Sequence, residues 1–104
     1  MKEKVQTAIE LFKEYKLDEA QEVFEALLDE DKENIEVLLH LGKIHSRTQN
    51  YGVALNYFNK AIELNPNNSE AKTGLVLINN ILQLTNNFYF ENAYTDDDLY
   101  ESTL

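Results

Sequence analysis

Cysteine is absent from the 104-residue chain, which excludes disulfides, thiolate metal sites and thiol redox motifs at once. Proline occurs once and glycine three times, so few positions resist helix. Basic residues are scarce. Nine Lys plus Arg stand against nineteen Asp plus Glu, a formal net charge of −10. Such a charge repels phosphate backbones and acidic lipid surfaces, so no nucleic-acid or membrane partner is expected. Long apolar runs are missing too. The longest is Leu75 to Ile78, far short of the roughly 20 residues that span a bilayer. The opening residues, Met-Lys-Glu-Lys-Val-Gln-Thr-Ala, lack the apolar stretch of a secretory leader. What remains, 43% hydrophobic and 27% charged, describes one small globular domain. A chain of this length buries roughly 65% of its unfolded surface, enough for one core without metal or disulfide.

No stretch alternates apolar and polar residues as a half-buried strand would. Apolar residues recur at helical spacing instead. Val5, Ala8, Ile9, Leu11 and Phe12 predict a first helix over about residues 2 to 15. Leu17, Ala20, Val23, Phe24, Leu27 and Leu28 predict a second, ending in the polar stretch Asp29 to Asn34. Ile35, Leu38, Leu39, Leu41, Gly42 and His45 predict a third. Tyr51, Ala54, Leu55, Phe58, Ala61 and Ile62 predict a fourth, ended by Asn65-Pro66-Asn67-Asn68, since proline and asparagine favour turns. A fifth runs from about Ser69 to Leu84. Asn34 suits the N-cap of the third helix, and Asn68 or Ser69 that of the fifth.

The chain also repeats itself. A shift of 34 residues lays Ala8 on Gly42, Leu17 on Tyr51, Ala20 on Ala54, Phe24 on Phe58 and Leu28 on Ile62. Small falls on small and large on large, as paired helices require: a small residue lets two backbones approach, and an aromatic fills the gap beside it. Residues 35 to 68 resemble the tetratricopeptide repeat. Its key places, the fourth, seventh, eighth, eleventh, twentieth, twenty-fourth, twenty-seventh and thirty-second, hold Leu38, Leu41, Gly42, His45, Ala54, Phe58, Ala61 and Pro66. In residues 1 to 34, Ala8, Ala20 and Phe24 hold and Leu11 and Leu27 substitute, while Lys4, Thr7 and Lys32 depart, as suits an end repeat with no neighbour. Beyond residue 69 only the first helix of a third repeat is arguable, chiefly through Leu75, because Phe88, Asn92 and Thr95 fit no second-helix place.

The resemblance implies an all-α fold, helical hairpins stacked as a short right-handed solenoid. Its segments are repeat one over 1–34, repeat two over 35–68, a capping helix over 69–85 and an aromatic and acidic tail over 86–104. It further implies a concave groove, lined by the first helix of each repeat, that binds a peptide or partner helix without catalysis. Carried over by position, the candidate groove residues are Val5, Ile9, Phe12 and Lys13, then Leu39, Lys43 and Arg47, then Leu77 and Ile81. The inward places as a whole, with Lys2, Glu36, Ser46, Glu70, Thr73 and Asn80, hold four of the nine bases and two of the nineteen acids. An acidic or aromatic peptide fits such a face. The alternative is that Lys43 and Arg47 only balance nearby acids. The chaperone-adaptor branch of the family grips a carboxylate with Lys, Asn, Asn, Lys and Arg. Those places hold Val5, Ile9, His40, Glu70 and Gly74, so that ligand is not expected.

No chemistry competes with binding. His40 and His45 are five apart, about 140° around a helix, whereas a zinc helix needs i, i+4. His45 takes the buried tyrosine place of the repeat and reads as a packing residue. Asp96, Asp97, Asp98 and Glu101 lack the alternation and turn glycine of a calcium loop. No catalytic, cofactor or metal residue is expected. Glu10, Glu14, Glu19, Glu22, Glu25, Asp29, Glu30 and Asp31 read as a solvated face. The fifth helix is harder to place. Leu75, Val76, Leu77, Ile78, Ile81, Leu82 and Leu84 cover more of it than one hairpin buries, and Phe88, Tyr89, Phe90, Tyr94 and Tyr100 crowd the tail. The tail folds back as an irregular cap over 88–94, or brings Asp96–Asp98 to Lys43 and Arg47, or the helix pairs two copies in a homodimer. The expected setting is cytoplasmic and bacterial.

Overall fold

A computed structural model describes the backbone of residues 2–95 and the side chains of residues 2–84. Five α-helices follow one another: α1 (Lys2–Lys13), α2 (Leu17–Glu30), α3 (Ile35–Arg47), α4 (Tyr51–Leu64) and α5 (Ser69–Thr95). Among the described residues there is no strand. Helices α1 and α2 form one hairpin, α3 and α4 a second, and α5 closes the stack by packing on α4 and α3. Helices of 12 to 14 residues are marginal alone in water, so packing of their apolar faces holds them.

The 34-residue repeat is reproduced in the turns. Tyr15 and Gln49, 34 apart, both take a left-handed backbone, at φ 62° and 67°. This costs a side-chain-bearing residue roughly 1 kcal/mol. Each strained turn is closed by the same two bonds. Lys16 N–H donates to Leu11 C=O at 2.9 Å and Tyr15 N–H to Phe12 C=O at 3.0 Å; Asn50 N–H donates to His45 C=O at 2.8 Å and Gln49 N–H to Ser46 C=O at 3.2 Å. These bonds satisfy helix-end carbonyls that would otherwise lack partners. The turns between hairpins match as well. The Asn34 side chain accepts from Val37 N–H at 3.2 Å, and Asn68, rather than Ser69, accepts from Ala71 N–H at 2.9 Å. Asp31 and Asn65 each bend the chain by accepting from the residue two ahead, Glu33 and Asn67.

Two apolar clusters form the core. The first holds Val5, Ala8, Phe12, Ala20, Phe24, Leu27, Val37, Leu41 and Ile44. The second holds Leu38, Leu39, Ala54, Phe58, Ala61, Ala71 and Ile78. Full burial of one Leu or Phe is worth roughly 1.5–3 kcal/mol, so these clusters outweigh any surface ion pair. The close approach occurs at glycine. A methyl built at Gly42 would come within 2.8 Å of the Phe58 ring, and one at Gly74 within 2.7 Å, whereas Gly52 has open space. The Phe58 ring thus lies against α3 on one side and α5 on the other, wherever a missing side chain admits it. The acids Glu10 to Asp31 named above are all exposed, as a solvated face should be.

Helix α5 differs from its sequence reading at the far end. It continues past 85 to Thr95, through the stretch anticipated as an irregular cap, because residues 85–95 contain neither proline nor glycine. How those side chains pack, and everything from 96 to 104, lies outside the described residues. Its apolar surplus sorts by face. Ile78 is buried, Leu75, Ile81 and Leu82 are half-buried, and Val76, Leu77 and Leu84 are exposed. A third hairpin would dock on the places equivalent to Leu38, Gly42 and His45, which here are Lys72, Val76 and Asn79, all exposed. That flank is mostly polar.

His45 is 7% exposed, its ring stacked on Tyr57 at 5.6 Å between centroids. Neither ring nitrogen meets a protein hydrogen-bond partner. Burial lowers its pKa below the ordinary 6.5, with the Glu25 carboxylate opposing in part, and burial likewise raises that of Tyr57. The unfolded chain therefore takes up the His45 proton first as pH falls below about 6.5, and that part of the stability drains away toward acid. Urea denaturation at pH 7.5 and pH 5 should show the His45→Phe variant gaining on the parent at the lower pH; a constant difference would contradict this. The Gly42→Ala variant should lose about 1–3 kcal/mol, because the added methyl overpacks Phe58, while Gly52→Ala should lose nothing.

Candidate functional site

The repeats meet at two junctions, and the same places are filled differently in each. At the first, Phe24 lies under His40, the rings stacked at 5.0 Å between centroids. Phe12 meets His40 edge-on at 5.3 Å, and the Arg47 guanidinium sits 4.3 Å above the Phe12 ring. Aromatic and cationic groups thus seal that junction. Thirty-four residues on, Phe24 becomes Phe58, His40 becomes Gly74 and Phe12 becomes Ser46. Two large rings are replaced by a hydrogen and a hydroxymethyl group. The second junction is accordingly open.

The opening is a cavity of about 420 Å³ lined by Lys43, Ser46, Arg47, Phe58, Ser69, Glu70, Thr73, Gly74 and Leu77. Leu77 forms an exposed apolar wall, and Phe58, 2% exposed, lies at the floor. Ser46, Ser69 and Thr73 bring hydroxyls. At the rim, Lys43 Nζ donates to Glu70 Oε2 at 2.9 Å. Both partners are substantially solvated, so the pair contributes roughly 0.2–1 kcal/mol and is easily exchanged for another carboxylate. Arg47 is exposed and spreads over Phe12 and, at 5.3 Å, over Tyr15. Its charge is held at the rim by rings rather than by an acid, a contact worth about 0.5–1 kcal/mol at an exposed site.

The groove residues read from sequence divide by burial. Lys43, Arg47 and Leu77 come together in the cavity, and Phe12 is the platform under Arg47. Val5, 7% exposed, is part of the first core cluster and edges a second cavity of about 500 Å³, lined also by Lys2, Gln6, Asn34 and Glu36. Ile9 is half-buried against the same cluster. Leu39, 5% exposed, belongs to the second cluster and offers little surface. Lys13 is exposed and Ile81 half-buried; neither lines the cavity. Sequence reasoning passed over Phe58 and Gly74 as site residues. The signal was present in the shift from His40 to Gly74 and from Phe12 to Ser46, which empties one junction.

Among the described residues no three His, Cys, Asp or Glu side chains gather as a metal site, and no helix is long and apolar enough to cross a membrane. A search of the curated proteins finds no match. A family model described as tetratricopeptide repeat matches residues 11–72. That span takes in the second, third and fourth helices, both strained turns and the start of α5. With its paired helices, 34-residue period and small-against-aromatic packing, the chain belongs to the tetratricopeptide repeat family.

Proposed function

We propose that the chain is a non-catalytic adaptor whose groove captures a protein segment by one large apolar side chain, lodged against Leu77 above the buried Phe58, with an acidic neighbour at Lys43 and Arg47. Tetratricopeptide repeats generally mediate protein–protein interaction, and this reading narrows that role to one cavity. The observation that carries it is the exchange of His40 for Gly74 and of Phe12 for Ser46 between junctions. A cavity of about 420 Å³ takes an aromatic or leucine side chain with room for flanking backbone. The rim carries two cations, Arg47 stacked on Phe12 and Lys43 bonded to the carboxylate of Glu70. A ligand carboxylate there completes the charge balance in a protein of net charge −10 and steers orientation more than it adds affinity. Lys13 extends the basic margin and Ile81 the apolar one, while Val5 and Ile9 border the groove at its far end. The cytoplasm suits a chain with no cysteine.

A displayed random heptapeptide library panned on the full chain should enrich sequences with Phe, Tyr or Leu within two residues of Asp or Glu. Ser46→Phe restores the ring of the closed junction and should abolish capture without unfolding the protein. Lys43→Glu with Arg47→Glu should weaken it by about 10-fold or more and reduce its salt dependence. Retained capture by Ser46→Phe would show that the cavity is not the anchor.

A further inference from the structure

We infer that Glu70 decides which acidic ligands the cavity admits: its carboxylate holds the Lys43 ammonium until a ligand anion displaces it. This rests on the groove reading above and names the residue that sets its charge selectivity. Lys43 and Glu70 both line the cavity. Lys43 Nζ donates to Glu70 Oε2 at 2.9 Å, and the bond links α3 to the first turn of α5.

The fold does not depend on this bond. The two side chains are 35% and 59% exposed, and a pair so solvated adds little to stability. The start of α5 is secured without it. Asn68 accepts from Ala71 N–H at 2.9 Å, and Ala71 and Ile78 are fully buried. Opening the pair therefore needs only rotation of two partly solvated side chains, a fast motion. The pair also belongs to the open junction. Thirty-four residues back, Ile9 stands in the place of Lys43 and Glu36 in that of Glu70. The sealed junction has the carboxylate but no ammonium for it to hold.

The two rim cations are thus available on different terms. Arg47 rests on the rings of Phe12 and Tyr15 and has no carboxylate partner among the described residues. It meets the first negative charge of a ligand directly. Lys43 meets a ligand only once Glu70 has turned away. The energy of a charge in the cavity is that charge times the local potential, and Glu70 lowers this potential by a fixed amount. Removing the Glu70 charge therefore benefits ligands in proportion to their own charge. A structural carboxylate at a helix start has no such signature.

The test is a titration of the full chain and of Glu70→Gln, followed by amide NMR at pH 7.5 and low salt. Three probes share one ring: phenylacetamide is neutral, phenylacetate carries one charge, and phenyl phosphate nearly two. Glu70→Gln should bind phenylacetamide as the parent does, phenylacetate about 3-fold tighter and phenyl phosphate about 10-fold tighter. Adding Lys43→Gln to Glu70→Gln should shrink both gains, because no ammonium is left to release. An equal gain for all three probes, or none for the two anions, overturns the role of Glu70 alone. Gains undiminished by Lys43→Gln overturn it too, since Glu70 then repels ligands without acting through Lys43. If no probe shifts the cavity amides of either protein, the groove reading falls and the role of Glu70 falls with it.

Discussion

Phe58 can lie between α3 and α5 only because Gly42 and Gly74 carry no side chain. That one aromatic ring couples the second hairpin to the closing helix, and it belongs to the cluster that includes Ala54, Ala61, Ala71 and Ile78. The first hairpin uses the same device with different parts. Phe24 sits in a cluster with Ala8 and Ala20 and is covered by His40. A solenoid has no long-range core, so each junction must be held by its own wedge. Strain in the two left-handed turns and the buried, unbonded ring of His45 are offset by the two apolar clusters, in which each fully buried large side chain contributes roughly 1.5–3 kcal/mol.

The proposed function rests on the difference between two junctions built to one plan. Covering an aromatic with another ring makes a seal. Covering it with glycine keeps the ring buried but leaves a cavity beside it, with Lys43, Arg47 and Glu70 among its lining residues. The acids of α1 and α2 face solvent, so the general negative charge does not reach into the cavity at full strength.

Much of the architecture was legible in the sequence. The helices, the 34-residue period, the cap at Asn34 and the burial of His45 all came from spacing and side-chain size, which are local properties. The end of α5 was not, because the search for a second-helix pattern beyond residue 85 hid the simpler fact that nothing there breaks a helix. The basic groove was legible in kind but not in its pairing. Lys43 meets Glu70, 27 residues away, and Arg47 rests on Phe12; both contacts depend on how repeats stack. Leu39 and Val5 were placed on the groove by family geometry, yet inter-repeat packing buries most of both. The cavity itself needed a comparison of one junction with the next, place by place, instead of each repeat with a consensus.

The central claim is that the second junction is open beside Phe58, at the place where the first is sealed over Phe24. The most direct measurement is a titration of the full chain with phenylacetate, an aromatic ring bearing a carboxylate, followed by two-dimensional amide NMR. The account predicts shift changes concentrated at Lys43, Ser46, Arg47, Gly74 and Leu77, with the amides around Phe24 and His40 unmoved. Changes centred on the first junction, or spread evenly over both, would contradict it.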